Sequence, residues 1–367
     1  MDFQTYFVYF SLILVMLAFA KISAHYAKTR HVPITHFSFL LPILFFSLVI
    51  GLRYMVGSDF ETYLTLIKNT TSVSYFKSIE PMFKYLMLFI EKYSLHFSYF
   101  FIISAFIQIF FFYKSFDRPL LFLLPWAVPL FIMTEIGSLE NGVRHFTALM
   151  MFFYSLKHIK NQKLVYYVGT ILFASLFHKS VLLCLPLYFV ARLEVIKSVY
   201  LQFCLVLFFL VGSEFLSSLL IRLSLRLIVL FGYENYMESI GQGRETGIGY
   251  FVQWFINFII IGFYPKLKEA YQKNGFLVYW NLFYVGLLLK PMLDLVSVLT
   301  RINWYFYKFR FIILAFLLHY LYQHRNNPVN MFFFLLVLFL VIFLFLILID
   351  KGTNQMAPFK FIWDQYY

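Results

Sequence analysis

The stretch MFFFLLVLFLVIFLFLILI, Met331 to Ile349, decides the fold. Nineteen apolar residues follow one another without a polar interruption, and at about 1.5 Å per residue they cover a hydrocarbon core of about 30 Å. A surface helix of a soluble domain keeps a polar face, and this one has none. The rest of the chain is of the same kind: of 367 residues, 62% are hydrophobic, 23% aromatic and only 13% charged, with a mean hydropathy of +0.79. That composition excludes a soluble globular domain. Lipid offers the backbone no hydrogen-bond partners, so repeated runs of this sort mean a bundle of helices.

Outward from that run, the pattern predicts an all-α polytopic integral membrane protein with about twelve transmembrane helices. They fall at about 4–20, 36–52, 97–113, 119–136, 145–157, 164–178, 180–191, 199–220, 250–264, 276–293, 303–322 and 329–349. Met1 to Gln4 lack the basic region of a secretory leader, so 4–20 is expected to be the first span. Cys184 and Cys204 lie inside apolar runs and are expected to be buried packing residues rather than a disulfide or a metal site. No internal repeat is evident, and a single membrane domain over 1–367 is the economical reading.

The net charge of +13 raises nucleic acid as a partner, but its distribution points elsewhere. With an outward N-terminus, the inner loops are 21–35, 114–118, 157–163, 192–198, 265–275 and 323–328, and they hold fourteen Lys/Arg against three acids. Nearly all of the net charge therefore lies on one side, as the positive-inside bias requires, and no nucleic acid is needed to explain it. The outward segments become 53–96, 137–144, 178–180, 221–249 and 294–302.

Two outward segments are large. In 53–96, Ser58-x-x-Glu61 reads as a capping box, and Phe60, Tyr63, Leu64 and Ile67 form the apolar stripe of a short surface helix. A second, interfacial helix is expected from Glu80-Pro81, with proline at its first position, through Met82, Phe83, Leu86 and Ile90. In 221–249, the glycines around Gly-Gln-Gly-Arg-Glu-Thr-Gly suggest a lid or gate.

Charges that the topology does not need gather in or beside these outward segments. Arg53, Arg144, Arg244, Arg301 and Arg310 carry the planar fork of donors that suits phosphate oxygens. Asp59 and Glu61 stand near Arg53, where one carboxylate can serve as a general base, and helix capping is the alternative for both. Glu80 precedes Pro81, and its alternative is likewise an N-cap. His178-Lys179-Ser180 forms an abrupt outer turn whose histidine suits a general base or a phosphate donor, against the alternative of a satisfied interface residue. Tyrosines at the outer edge, Tyr54, Tyr63, Tyr236, Tyr250 and Tyr305 among them, fit sugar stacking and also an ordinary interfacial belt. No zinc spacing, P-loop or nucleophile elbow is present, so hydrolases and nucleotide-driven pumps lose support.

Taken in order, Gly51-Leu-Arg-Tyr-x-Val-Gly-x-Asp-x-x-x-Tyr63, Glu80-Pro81, Gly142-Val-Arg144-His145, Ala174-Ser-Leu-Phe-His178-Lys-Ser180 and Thr300-Arg301-x-x-x-Tyr305-Phe306 resemble the EpsG family of O-antigen polymerases of the Wzy type. The resemblance covers most of the chain. It departs at His145, where the pattern has glutamine, and 221–249 shows no family motif.

The resemblance implies a membrane glycosyltransferase of GT-C-like architecture in the bacterial inner membrane, with its active face periplasmic. Its substrates are then undecaprenyl-pyrophosphate-linked oligosaccharide repeats, and the growing chain is transferred as a block from its lipid carrier to a new lipid-linked unit. A leaving pyrophosphate needs cations, and the attacking hydroxyl needs a base. Arg53, Arg144 and Arg301, with Arg244 and Arg310, are the pyrophosphate candidates. His178, Asp59 and Glu80 are the candidate catalytic residues. Tyr63, Lys179 and Tyr305 are candidates for the sugar and its surrounding loop. The sugar–pyrophosphate bond holds the energy, so no nucleotide or other cofactor is expected, and nothing visible demands a metal. A separate chain-length co-polymerase is an expected partner. The rivals are a flippase of the same lipid-linked repeat, whose paired halves are not seen here, and a membrane acyltransferase acting on glycans.

Overall fold

In the computed structural model of the chain, residues 3–68, 79–213, 215–216, 247–294 and 297–366 are described. Among them the secondary structure is helical, joined by turns and short 3₁₀ segments, and the β-type pairing is confined to an isolated antiparallel bridge between Arg53 and Phe361. Five of the described helices are long and apolar enough to cross a membrane: Phe3–Arg30, Arg118–Asn141, Ile248–Asn274, Phe276–Leu293 and Pro328–Asp350. This is the architecture of a polytopic membrane protein, as composition requires.

The remaining apolar helices, Phe37–Gly51, Ser98–Lys114, Leu164–Ser175 and Val199–Val211 among them, are 10–17 residues long. The expected span at 180–191 is a 3₁₀ segment, Lys179–Cys184, followed by the brief helix Leu187–Val190. Pro186 stands between them without an amide hydrogen to carry the ladder through. The expected span at 303–322 is divided into Ser297–Tyr307 and Arg310–Gln323. Of the two cysteines, Cys184 is buried as expected, whereas Cys204 is exposed on its helix, and both are free.

Contacts gather into two compact units, where the sequence suggests one domain: Met1–Tyr188 with Val341–Tyr367, and Phe189–Leu340. The first contains α1 (Phe3–Arg30), α2 (Phe37–Gly51), α3 (Phe60–Lys68), α4 (Pro81–Lys92), α5 (Ser98–Lys114), α6 (Leu124–Asn141), α7 (Val143–Lys160) and α8 (Leu164–Ser175). α1 buries Tyr9, Leu12, Ile13, Met16 and Ala20, a helical stripe, against α6 and α2. Helices in lipid gain little from leaving it, so their packing depends on close approach. Gly51 supplies that approach between α2 and α5: a Cβ there would stand 2.5 Å from the Cα of Ile102.

α3 is the surface helix that the apolar stripe predicts. Phe60, Tyr63 and Ile67 are buried, with Phe60 stacked on Phe101 at 4.7 Å and Tyr63 against Phe100 at 5.2 Å. α4 begins at Pro81 and lays Phe83 on the same Phe100 at 5.6 Å. Both amphipathic helices therefore rest on the first turn of α5.

The C-terminal segment returns to this unit and straps the turn after α2. Tyr54 N donates to Lys360 O at 2.8 Å, Ile362 N to Leu52 O at 2.9 Å, and Gly57 N to Gln355 O at 3.0 Å. Phe359 N donates to Thr5 Oγ1 at 2.6 Å, and Phe359 is fully buried. The start of α1, the 52–58 turn and the last residues thus share one end of the unit.

In the second unit, Phe276–Leu293 packs on Ser297–Tyr307 at Gly286, where a Cβ would lie 2.6 Å from the Cα of Tyr307. Trp280 is its largest enclosed side chain, tilted against Tyr264 at 4.4 Å. Glu194 ties the segment before Val199–Val211 to Ile248–Tyr271 by accepting from Tyr264 Oη at 2.9 Å and Lys268 Nζ at 2.6 Å.

Candidate functional site

Three helix ends of the first unit meet around one carboxylate. α6 stops at Asn141 and α7 starts at Val143, so Gly142 alone makes the reversal. That puts Arg144 and His145 in the first turn of α7, where the helix dipole favours anions. α8 ends at Ser175, and His178 follows in extended backbone. Met82 N donates to Leu176 O at 3.1 Å, which pins the start of α4 beside that turn. Glu80 occupies the N-cap position of α4, yet its side chain makes no capping hydrogen bond.

The carboxylate is used elsewhere. Arg144 Nη1 donates to Glu80 Oε2 at 2.5 Å, and His178 Nδ1 lies 2.7 Å from Glu80 Oε1. The three side chains are 15%, 23% and 7% exposed for Arg144, His178 and Glu80, so the imidazole is the member most open to its surroundings. Burial alone would raise the Glu80 carboxyl, but the His178 hydrogen bond and the Arg144 and His178 charges outweigh it and hold the group at about 2. An ionised Glu80 can only accept, so His178 Nδ1 carries a proton in either state of the ring, and in the neutral form Nε2 is the basic nitrogen.

Two neighbours complete the cluster. The His145 ring lies 4.9 Å from that of His178, tilted by 40°. The buried Tyr63 hydroxyl is hydrogen-bonded to Arg144, and burial pushes its ionisation up while the Arg144 charge opposes this. Asp59, one turn before Tyr63 and half-buried, acts on the same phenol through its charge. The cluster thus joins Asp59, Tyr63, Glu80, Arg144 and His178, five of the residues selected from sequence. Lys179 follows His178 and is exposed.

Arg53 has a different place. Its side chain is enclosed at 1% exposure, with Nε on Val56 O at 3.1 Å, Nη1 on Ile50 O at 2.6 Å and Nη2 on Glu140 O at 3.0 Å. The guanidinium also sits over the Phe101 ring at 4.6 Å. Its donors organise the 50–57 turn, so the expectation of a pyrophosphate ligand gives way here to a positioning role. Burial pulls its ionisation down, opposed by the Glu140 charge.

Glu140 itself is fully buried and accepts from Tyr9 Oη at 3.2 and 3.1 Å. Next to it, Asn141 Oδ1 accepts from both the amide and the hydroxyl of Ser58, which replaces the capping box expected from Ser58 and Glu61. Gly57 sits between these groups with φ of +95°, and a Cβ there would press on Glu140 O at 2.9 Å. Glu140, Asn141, Tyr9 and the C-terminal strap were not selected from sequence. An acid at the end of an apolar run was the available signal for Glu140, and it was read as part of an outer loop.

Arg301 and Arg310 belong to the second unit. Arg301 is exposed on Ser297–Tyr307. Arg310 is 7% exposed, its Nη1 donates to Tyr307 Oη at 3.3 Å, and Asn257 Nδ2 donates to the same hydroxyl at 3.2 Å. Its Nε and Nη2, one side of the guanidinium fork, are buried and meet no hydrogen-bond partner among the described residues. Tyr305 is fully buried, so it packs and offers no face for sugar stacking. Arg244, Tyr236 and the expected lid up to residue 246 lie outside the described residues.

The model of the EpsG family matches residues 36–361, from the start of α2 to the C-terminal strap. No curated protein and no solved structure matches the chain.

Proposed function

The chain belongs to the EpsG family, whose members are Wzy-like polymerases, and from that premise we propose that it polymerises lipid-linked oligosaccharide repeats at the periplasmic face of the inner membrane. The donor is a growing glycan on undecaprenyl pyrophosphate, and the acceptor is a hydroxyl of a second lipid-linked repeat. The fold is then a GT-C-like membrane glycosyltransferase, with a chain-length co-polymerase as a partner.

One observation carries the reading: a single carboxylate, Glu80, bridges an arginine at 2.5 Å and a histidine at 2.7 Å. Such an arrangement supplies the two things that glycosyl transfer from a pyrophosphate needs. His178 Nε2 removes the proton of the acceptor hydroxyl as its oxygen bonds to the anomeric carbon. The bond from that carbon to the pyrophosphate oxygen breaks, and the electron pair leaves with the lipid pyrophosphate. Arg144, in the first turn of α7, meets the charge that develops on the leaving group. Glu80, held near 2, is too weak a base to take the proton itself and instead orients His178. Asp59, half-buried beside Tyr63, is offered as a contact for the sugar.

The test is direct. Purified protein is incubated with lipid-linked repeat, and the products are resolved by length. Longer glycans from wild type, and none from folded His178→Ala, support the proposal. A repeat that crosses the bilayer without growing longer would mean a flippase.

A further inference from the structure

The end of the first unit away from Glu80 holds a different kind of site. α7 runs from Arg144 to Lys160, about 24 Å at 1.5 Å per residue, so its two ends lie far apart. At the Lys160 end, two loops separated by some eighty residues of sequence close over one cavity of about 140 Å³. His31 comes from the turn after α1, and Lys114 and Arg118 come from the end of α5 and the turn beyond it.

Among the described residues, no acid lines the cavity. Asp117, between the two cations in sequence, is drawn off by Lys160, whose Nζ donates to its oxygens at 3.2 and 3.1 Å. Lys114 also lies over the Tyr154 ring at 5.2 Å, a contact that leaves its charge unneutralised. Deeper in the lining, Tyr113 is 1% exposed, and its hydroxyl has no hydrogen-bond partner among the described residues. Phe39 and Phe116 supply apolar wall. His31 holds its place with φ of +52°, a left-handed conformation that a residue other than glycine adopts at a cost.

Cationic side chains, a spare phenolic donor and apolar wall in one cavity suit an anion attached to a hydrocarbon body. We propose that this cavity binds a phosphate group, and that the phosphodiester headgroup of an anionic membrane lipid is its source. The basic loops that form it are those that the charge distribution assigns to the cytoplasmic side, where basic pockets between membrane helices meet anionic headgroups. The topology signal explains why Lys114 and Arg118 are basic. It does not explain why they converge with His31 over a cavity free of acids. The site is independent of the glycosyl-transfer reading.

The experiment uses the full chain in nanodiscs of phosphatidylcholine with a minority of phosphatidylglycerol, and counts retained phosphatidylglycerol by native mass spectrometry. Wild type and Lys273→Gln, which removes an inner-loop charge elsewhere, should hold one such lipid through activation, and Lys114→Gln/Arg118→Gln should hold it about tenfold less. His31→Asn, which tolerates the left-handed backbone, provides the same comparison should the double variant fail to fold. A second arm adds inorganic phosphate to phosphatidylcholine-only discs. A rise in melting temperature for wild type but not for the variants supports the phosphate site and identifies a soluble anion as its source. Equal lipid retention by all variants, with no phosphate-dependent shift, overturns the proposal.

Discussion

His178 is held by Glu80 through Nδ1 at 2.7 Å, and Glu80 is held in turn by Arg144 at 2.5 Å. Ninety-eight residues of sequence separate the histidine from the carboxylate, and that hydrogen bond turns Nε2 away from Glu80. The relationship leads to a first prediction. His178→Ala should lower the rate of glycan elongation by about 10²- to 10⁴-fold, the usual contribution of a general base. Glu80→Gln should lower it within the same range, because an amide can donate to Nδ1 and turn the ring to the wrong tautomer. Single-turnover elongation of lipid-linked repeat, at matched amounts of folded protein, measures both.

The pH dependence of stability has a defined sign. Glu80 lies well below its ordinary value of 4.5, at about 2, so its folded state binds protons less readily than the unfolded chain does. The stabilisation is complete above the ordinary carboxylate range and is lost as pH falls from about 4.5 through about 2. The shift corresponds to about 3 kcal/mol at neutral pH. Wild type should therefore exceed Glu80→Gln in unfolding free energy at pH 5 to 6, about the top of the ordinary carboxylate range, and the margin should shrink as pH falls through about 4.5 toward about 2. Chemical unfolding in detergent across that series checks it, and a margin that grows toward acid would refute the assignment.

Arg53 and Arg144 should separate cleanly. Arg53→Met strands three buried carbonyls, at a cost of about 1–3 kcal/mol for each one left unsatisfied. Arg144→Met removes a partly exposed side chain and should leave more folded protein but little elongation. Size-exclusion profiles with thermal unfolding, read beside the product ladder, distinguish a fold residue from a site residue.

Gly57→Ala should destabilise by about 1–3 kcal/mol, the range for a residue forced into strained backbone. Its φ of +95° and the 2.9 Å approach of Glu140 O act together. Gly247→Ala, also at positive φ but with nothing within 4 Å among the described residues, should show the backbone part of that cost alone. Paired melting curves measure the difference.

Arg310→Met removes a buried cation whose Nε and Nη2 lack partners among the described residues. Replacing a buried, poorly paired charge by an apolar side chain of similar size often stabilises by about 1–4 kcal/mol. A higher melting temperature together with lost elongation would mark Arg310 as a substrate contact. A higher melting temperature with full elongation would remove it from the pyrophosphate set.

Much of this protein was legible residue by residue. The membrane class, the surface helix at Phe60 and the start of a helix at Pro81 follow from local patterns, because hydropathy, apolar period and the missing amide of proline act over a turn or two. The span count was less legible. Leu164 to Ala191 reads as two spans by hydropathy, yet Pro186 and the 3₁₀ turn after His178 divide its second half, since hydropathy does not register which amides the ladder needs. The candidate residues were found as types, and their roles were not. Arg53 and Arg144 look alike in sequence, and only the enclosure of one by backbone carbonyls separates them.

The sequence by itself determined that the chain lives in lipid and that its net positive charge gathers in a few short segments between apolar runs. These are one-dimensional quantities: burial cost per residue and charge per loop. Only the tertiary structure decided that Glu80 leaves its cap to join Arg144 and His178, that Glu140 and Asn141 anchor the 52–58 turn, and that the C-terminal segment straps it. Those outcomes depend on which helix ends meet in space. A buried carboxylate or guanidinium takes the partner that packing brings within hydrogen-bonding distance, and no local pattern in the chain specifies that partner.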